Sequence, residues 1–318
     1  MKWTWLETIV FFFAWIFVIH GVAIVLHEIG GHGLAIRIMG CRIARINLSY
    51  FGWGGAWPAP CAPWTLTKRV VIDWAGLAVT LPVGPAVMAF QRRAGLTPLT
   101  RLLLALFGTR FLLSDLAYAT SGGFYEVGDP ELTAVLLESH GLHVLAWLPS
   151  LVLFAASALY GARAIVDAFR VYFGSRTRLH TLQQVAATLG VAGLLSYAAF
   201  RIEAAIRTDT FRGIAFAAEQ RAIVVFGVPQ FPIQRVLLAI AIAAAVVALA
   251  RPVRPREGAE VAAPGGIPRR HAVGVAVAAL GCAITITAFV PVRRTTPAEP
   301  VLVVPPEPPP VTAPKGPA

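Results

Sequence analysis

Charged residues are scarce in this chain. Asp, Glu, Lys and Arg make up 14% of its 318 residues, whereas a soluble globular domain carries about 25%. With 57% of residues hydrophobic, there are too few polar groups to cover a water-facing surface of this size, which excludes an ordinary soluble fold. Acidic residues are the scarcer sign, 16 against 27 basic, for a net charge of +11. The basic residues stand singly or in pairs between apolar runs, as headgroup anchors do. No basic stripe with interleaved aromatics is present, so nucleic acid is not an expected partner. Cysteine is nearly absent: Cys41, Cys61 and Cys282, with no CxxC spacing. That argues against a disulfide framework and against a cysteine zinc site. Buried free thiols are the expectation, with a Cys41–Cys61 bridge across the first loop as the alternative. No internal repeat is visible, which leaves an inverted-repeat transporter without support.

Long apolar runs are what the chain does have. A helix crosses a bilayer with about 18 or more apolar residues. Such runs lie at 9–26, 70–90, 102–120, 142–162, 182–200 and 272–290, and a seventh at 236–250 reaches span length if it starts near Phe231. The first run carries no small-x-small cleavage site after it and is read as an uncleaved span. The third contains Arg110 and Asp115, which makes it the least regular; a structural ion pair between the two is expected. The fold class expected is therefore an all-α polytopic membrane protein of about seven spans. Residues 40–64 break the pattern. Period-two alternation in Arg42-Ile43-Ala44-Arg45-Ile46-Asn47-Leu48, followed by Gly, Pro and Trp, predicts short β-hairpins. Residues 201–234 are read as containing an interfacial helix, and the Pro-rich residues 293–318 as an extended or disordered tail. Segments 1–140 and 141–292 are separated as a site-bearing core and additional spans.

The first span ends in Leu26-His27-Glu28-Ile29-Gly30-Gly31-His32-Gly33-Leu34-Ala35. Ionisable groups at membrane depth are costly and are commonly functional. In His-Glu-x-x-His two imidazoles share a helix face and bind zinc, and the glutamate acts as general base. Here the histidines are five apart. On a regular α-helix that leaves them about 140° apart, too far to chelate one ion. A one-residue π-bulge restores a common face, and Gly30-Gly31 is where the backbone takes such strain most easily. The alternative is a helix end bearing two interfacial histidines with the Gly pair as terminator.

These residues resemble the site-2 protease family of intramembrane zinc metallopeptidases. The hairpin-like loop after the first span is similar in position to that family's membrane-associated sheet. Trp74-Ala75-Gly76-Leu77-Ala78 is similar to the segment opening its next helix, although it lacks that segment's Pro and Asn. The resemblance covers residues 9–137. The longer spacing is also similar to the His-Glu-x-x-Gly-His of the soluble dipeptidyl-peptidase III family. Membership would imply a Zn²⁺ cofactor, His27 and His32 as ligands and Glu28 as catalytic base. It would also imply a membrane-embedded or membrane-anchored protein substrate and a multi-pass setting, expected to be a bacterial cell membrane.

A catalytic zinc takes three protein ligands and keeps a position for water. Two crossings after the histidines, the chain returns to the same side near residues 115–131, which offers Asp115, Glu126, Asp129 and Glu131, with His140 and His143 beyond. Asp129, in Gly128-Asp129-Pro130, is the preferred ligand and Asp115 the second choice. Against the metal role stands an N-cap role for Asp129 ahead of a helix starting at Pro130-Glu131. His20, seven residues before His27, is read as a lone packed histidine. Tyr118, Ser121, His140 and His143 are candidate transition-state donors. The function expected is peptide-bond hydrolysis within the membrane; the alternative is an inactive membrane scaffold with a degenerate metal site.

Overall fold

The computed structural model describes residues 5–52, 54–126, 128–175, 177–206, 233–252 and 267–289. Its order is α1 (Trp5–Val25), a π-helix (Leu26–Gly33), α2 (Leu34–Ile38), β1 (Ile43–Asn47), β2 (Gly55–Pro58), α3 (Leu66–Thr80), α4 (Val83–Phe90), α5 (Pro98–Tyr125), α6 (Glu131–Ser139) and α7 (Val144–Phe173). There follow α8 (Arg178–Val185), a second π-helix (Ala186–Gly190), α9 (Val191–Ile206), α10 (Ile233–Ala250) and α11 (Arg269–Phe289). Among the described residues, seven stretches are long and apolar enough to cross a bilayer. The protein is an all-α, multi-pass membrane protein with one small sheet. The expected interfacial helix falls mostly, and the Pro-rich tail entirely, outside the described residues.

Local chemistry sets the helix ends. Thr65 and Thr97 cap α3 and α5, accepting hydrogen bonds from the Lys68 and Thr100 backbone N–H groups, and Pro98 occupies the first turn of α5. Leu81-Pro82 divides the second span into α3 and α4, since proline cannot donate to the helical ladder. β1 and β2 form a two-stranded antiparallel sheet, with Arg45 opposite Trp57 and Asn47 opposite Gly55. Cys41, beyond α2, and Cys61, beyond β2, are joined in a disulfide. The free-thiol expectation is thus corrected for both. Antiparallel pairing returns the chain after β2 to the end of α2, a proximity that a separation of 20 residues does not announce.

The third span, the least regular in sequence, is the most enclosed. Its most apolar window is 56% buried, against 11–39% for the others. α5 packs along α7 and α4, while α10 packs on α7 and α11 on α1. Lipid supplies no hydrophobic drive between helices, so close packing has to hold them. Leu102, Phe12 and Phe169 are fully buried in one cluster, and Leu116, Phe154 and Leu237 form part of another. Among the described residues no ion pair joins Arg110 to Asp115, contrary to expectation. Five residues apart on a regular helix, they point about 140° away from each other, and Asp115 lies toward Thr80 of α3.

Candidate metal centre

The π-helix that the histidine spacing asks for is present, spanning Leu26–Gly33 and flanked by α-helix on both sides. Its i→i+5 register brings His27 and His32 to one side, with ring centroids 4.9 Å apart. The next span approaches this region closely. A methyl group on Gly31 would lie 2.7 Å from the Gly76 amide nitrogen, and one on Gly76 would lie 2.6 Å from both His27 Cε1 and His32 Nε2. The Gly76 backbone therefore forms one wall against the two imidazoles, and no larger residue fits there.

Asp129 closes the group from 97 residues beyond His32. After α5, Glu126 and Gly128 adopt left-handed backbone, φ 54° and 68°, which turns the chain back over the span end. The Asp129 Oδ2 lies 2.9 Å from His27 Nε2 and 3.2 Å from His32 Nε2, and the two Nε2 atoms are 3.2 Å apart. Oδ1 accepts a hydrogen bond from the Tyr118 hydroxyl at 3.1 Å, while the same hydroxyl accepts one from the Asp129 N–H at 3.1 Å. Burial by itself would raise the Asp129 carboxyl. Its hydrogen bonds with His27 and His32 prevail and hold it at about 2. The N-cap alternative does not describe it: Pro130 is the cap residue of α6, and no side chain caps that helix.

Further contacts orient the group. His32 Nδ1 lies 2.7 Å from the Ile72 carbonyl. A carbonyl only accepts, so Nδ1 carries a proton, and a metal bound at Nε2 would meet the lone pair there. Trp74 Nε1 donates to Thr133 Oγ1 at 2.7 Å, pinning α6, and the turn before it, to α3. Glu28 is buried, and its Oε2 has no hydrogen-bond partner among the described residues. Gly54, just ahead of β2, lies against it: a methyl there would be 2.6 Å from the Glu28 Cγ.

The donor set fits a small divalent cation. His27, His32 and Asp129 each offer a ligand atom, all within 4.8 Å of one another. The triangle they form, with sides of 2.9–3.2 Å, is close to the spacing of about 3.3 Å between ligands of a tetrahedral zinc with bonds of about 2.0–2.1 Å. A point about 2 Å from all three lies about 1 Å out of their plane.

Of the other sequence candidates, Asp115 is outside this group. Glu126 lies 3.7 Å from His143, His140 bonds with Ser139 and the Leu136 carbonyl, and Ser121 donates to the Ala117 carbonyl. His20 hydrogen-bonds at the Ser49 backbone. Tyr118 is at the site, but it grips Asp129, a role its sequence position does not suggest. The Ile72 carbonyl and the Gly76 wall were likewise not legible. Compared with family models, curated proteins and solved structures, the chain matches none.

Proposed function

We propose that the protein is an intramembrane zinc metallopeptidase of the site-2 protease type, with His27, His32 and Asp129 as metal ligands and Glu28 as general base. The observation that carries this reading is the convergence of three ligand atoms beside a buried carboxylate with an oxygen unpartnered among the described residues. A zinc ion held there would lower the pKa of a water and polarise a peptide carbonyl. Glu28 accepts the proton of the attacking water and passes it to the leaving amine. Tyr118 and the Ile72 carbonyl keep the ligands aimed, so little reorganisation is needed at the moment of reaction. A helical substrate hides its carbonyls and must be extended before cleavage. The β1–β2 hairpin next to Glu28 offers strand edges for that purpose, by β-augmentation. The substrate class is a membrane-embedded or membrane-anchored protein, and the setting expected from the resemblance is a bacterial cell membrane.

An inactive metal-binding scaffold differs from this at Glu28. A structural site needs no carboxylate there, whereas catalysis does. The test is zinc content of the purified protein together with hydrolysis of fluorescent casein in detergent. About one zinc per chain is expected, lost in His27→Ala, His32→Ala and Asp129→Ala. Glu28→Gln should keep the zinc and lose about 10²-fold or more of the activity. Full activity in Glu28→Gln would refute the mechanism. Zinc binding without any hydrolysis by the wild type would favour the scaffold.

A further inference from the structure

At the opposite ends of the spans from the metal centre lies a cavity of about 420 Å³. Its walls come from three places: the α4–α5 turn with Arg92 and Arg101, the last turns of α7 with Tyr160, Arg163 and Asp167, and Arg251 just past α10. Four arginines face one aspartate there. Arg92 lies over the Tyr160 ring, 5.1 Å from its centroid, an arrangement that fixes a planar guanidinium. Asp167 neutralises little, because its carboxylate is exposed and its ion pair, at 4.0 Å, is with Arg170. Arg170 is committed elsewhere: its Nη2 donates to the Leu249 and Arg251 carbonyls at 3.2 and 3.1 Å. That bond caps the C-terminal end of α10 and sets Arg251 at the cavity rim.

The two inner arginines mark what the cavity is for. The Nε atoms of both Arg101 and Arg163 are buried and have no hydrogen-bond partner among the described residues, while Arg101 Nη2 donates to the Arg93 carbonyl at 3.3 Å. An arginine that merely snorkels carries its whole head into water, whereas these two keep part of the guanidinium buried in the cavity wall. A ligand in a cavity lined by four arginines and one aspartate has to be anionic, and guanidinium geometry matches a phosphate oxygen pair. Apolar Pro98, Ala168 and Val171 line the rest, which suits a ligand with a charged head and an apolar continuation.

We propose that this cavity binds a phosphate group, with Arg101 and Arg163 as its inner donors and Arg92 and Arg251 at its mouth. Basic pockets between spans near a membrane surface take anionic lipid headgroups, and the position at the span ends makes a phospholipid the favoured source over a soluble phosphate. A ligand there would tie the α4–α5 turn to α7 and α10. The site is independent of the peptidase reading.

The experiment is native mass spectrometry of the detergent-purified full chain, titrated separately with phosphatidylglycerol, phosphatidylcholine and inorganic phosphate. The wild type should retain phosphatidylglycerol in preference to phosphatidylcholine. Arg101→Gln with Arg163→Gln should weaken that binding about 30-fold, about fivefold for each arginine. Arg178→Gln, exposed at the start of α8, should leave it unchanged. If the double variant does not purify as a monodisperse species, Arg92→Gln at the mouth replaces it, with about a fivefold loss expected. Binding of inorganic phosphate that is lost in the same variants would uphold the site and assign it to a soluble phosphate. Equal retention of both lipids by the wild type with no phosphate binding, or undiminished binding in the variants, would overturn the proposal.

Discussion

Replacing Tyr118 with phenylalanine removes one hydroxyl from a buried position and leaves the ring in place. That hydroxyl makes two hydrogen bonds with a single residue, donating to Asp129 Oδ1 and accepting from the Asp129 N–H, both at 3.1 Å. The bond to the carboxylate is charge-assisted and contributes about 1.5–3 kcal/mol; the neutral one contributes about 0.5–1.5 kcal/mol. Part of this is recovered when Asp129 relaxes, so zinc affinity should fall about 10- to 100-fold, the range found for lost partners of metal ligands. That corresponds to about 1.4–2.8 kcal/mol. Competition against a chromophoric chelator in detergent measures it, with Ser121→Ala as control, since the Ser121 hydroxyl bonds to the Ala117 and Tyr118 carbonyls of its own helix. Affinity within about twofold of wild type would refute the argument that Tyr118 positions the ligand.

Gly76→Ala is a second test. In an exposed helix interior this change stabilises by about 0.5–1 kcal/mol, but here the added methyl meets both imidazoles at 2.6 Å. Zinc should be lost or bound at least about tenfold more weakly while the protein stays folded; zinc content together with thermal melting checks both. The Cys41–Cys61 bridge predicts that, in denatured non-reduced protein, only Cys282 reacts with a maleimide, and that all three cysteines react after reduction. Replacing Cys41 and Cys61 by serine should destabilise the hairpin region by about 3 kcal/mol on loop-closure entropy for a loop of this length, read as faster amide exchange in β1 and β2. Labelling of three cysteines without reductant would contradict the bridge.

Much of the architecture was legible because its causes are local. Each span is set by its own apolarity, independently of what it touches, so the runs found in sequence correspond to the seven helical stretches. The π-helix follows from a five-residue histidine spacing with Gly30-Gly31 between, all within one turn or two. The alternating residues 42–48 and the Gly-rich stretch after them likewise dictate a hairpin by themselves. The metal-ligand triangle is different in kind. That Asp129 and not Asp115 meets the histidines depends on two left-handed residues, Glu126 and Gly128, which reverse the chain, and on the rotation of α5, which turns Asp115 toward Thr80.

The sequence by itself therefore determined a multi-pass helical membrane protein, a hairpin after the first span, and a histidine pair that only a π-helix can align. Tertiary structure decided which carboxylate faces that pair, that Tyr118 grips it, that Gly76 walls it, and that Cys41 and Cys61 join. It also decided that α5, the span with the least regular sequence, lies at the centre. The physical reason is distance along the chain. Hydropathy and helix register act over a few residues, whereas these contacts bring together residues 11 to about 100 apart, and their geometry exists only once the helices have packed.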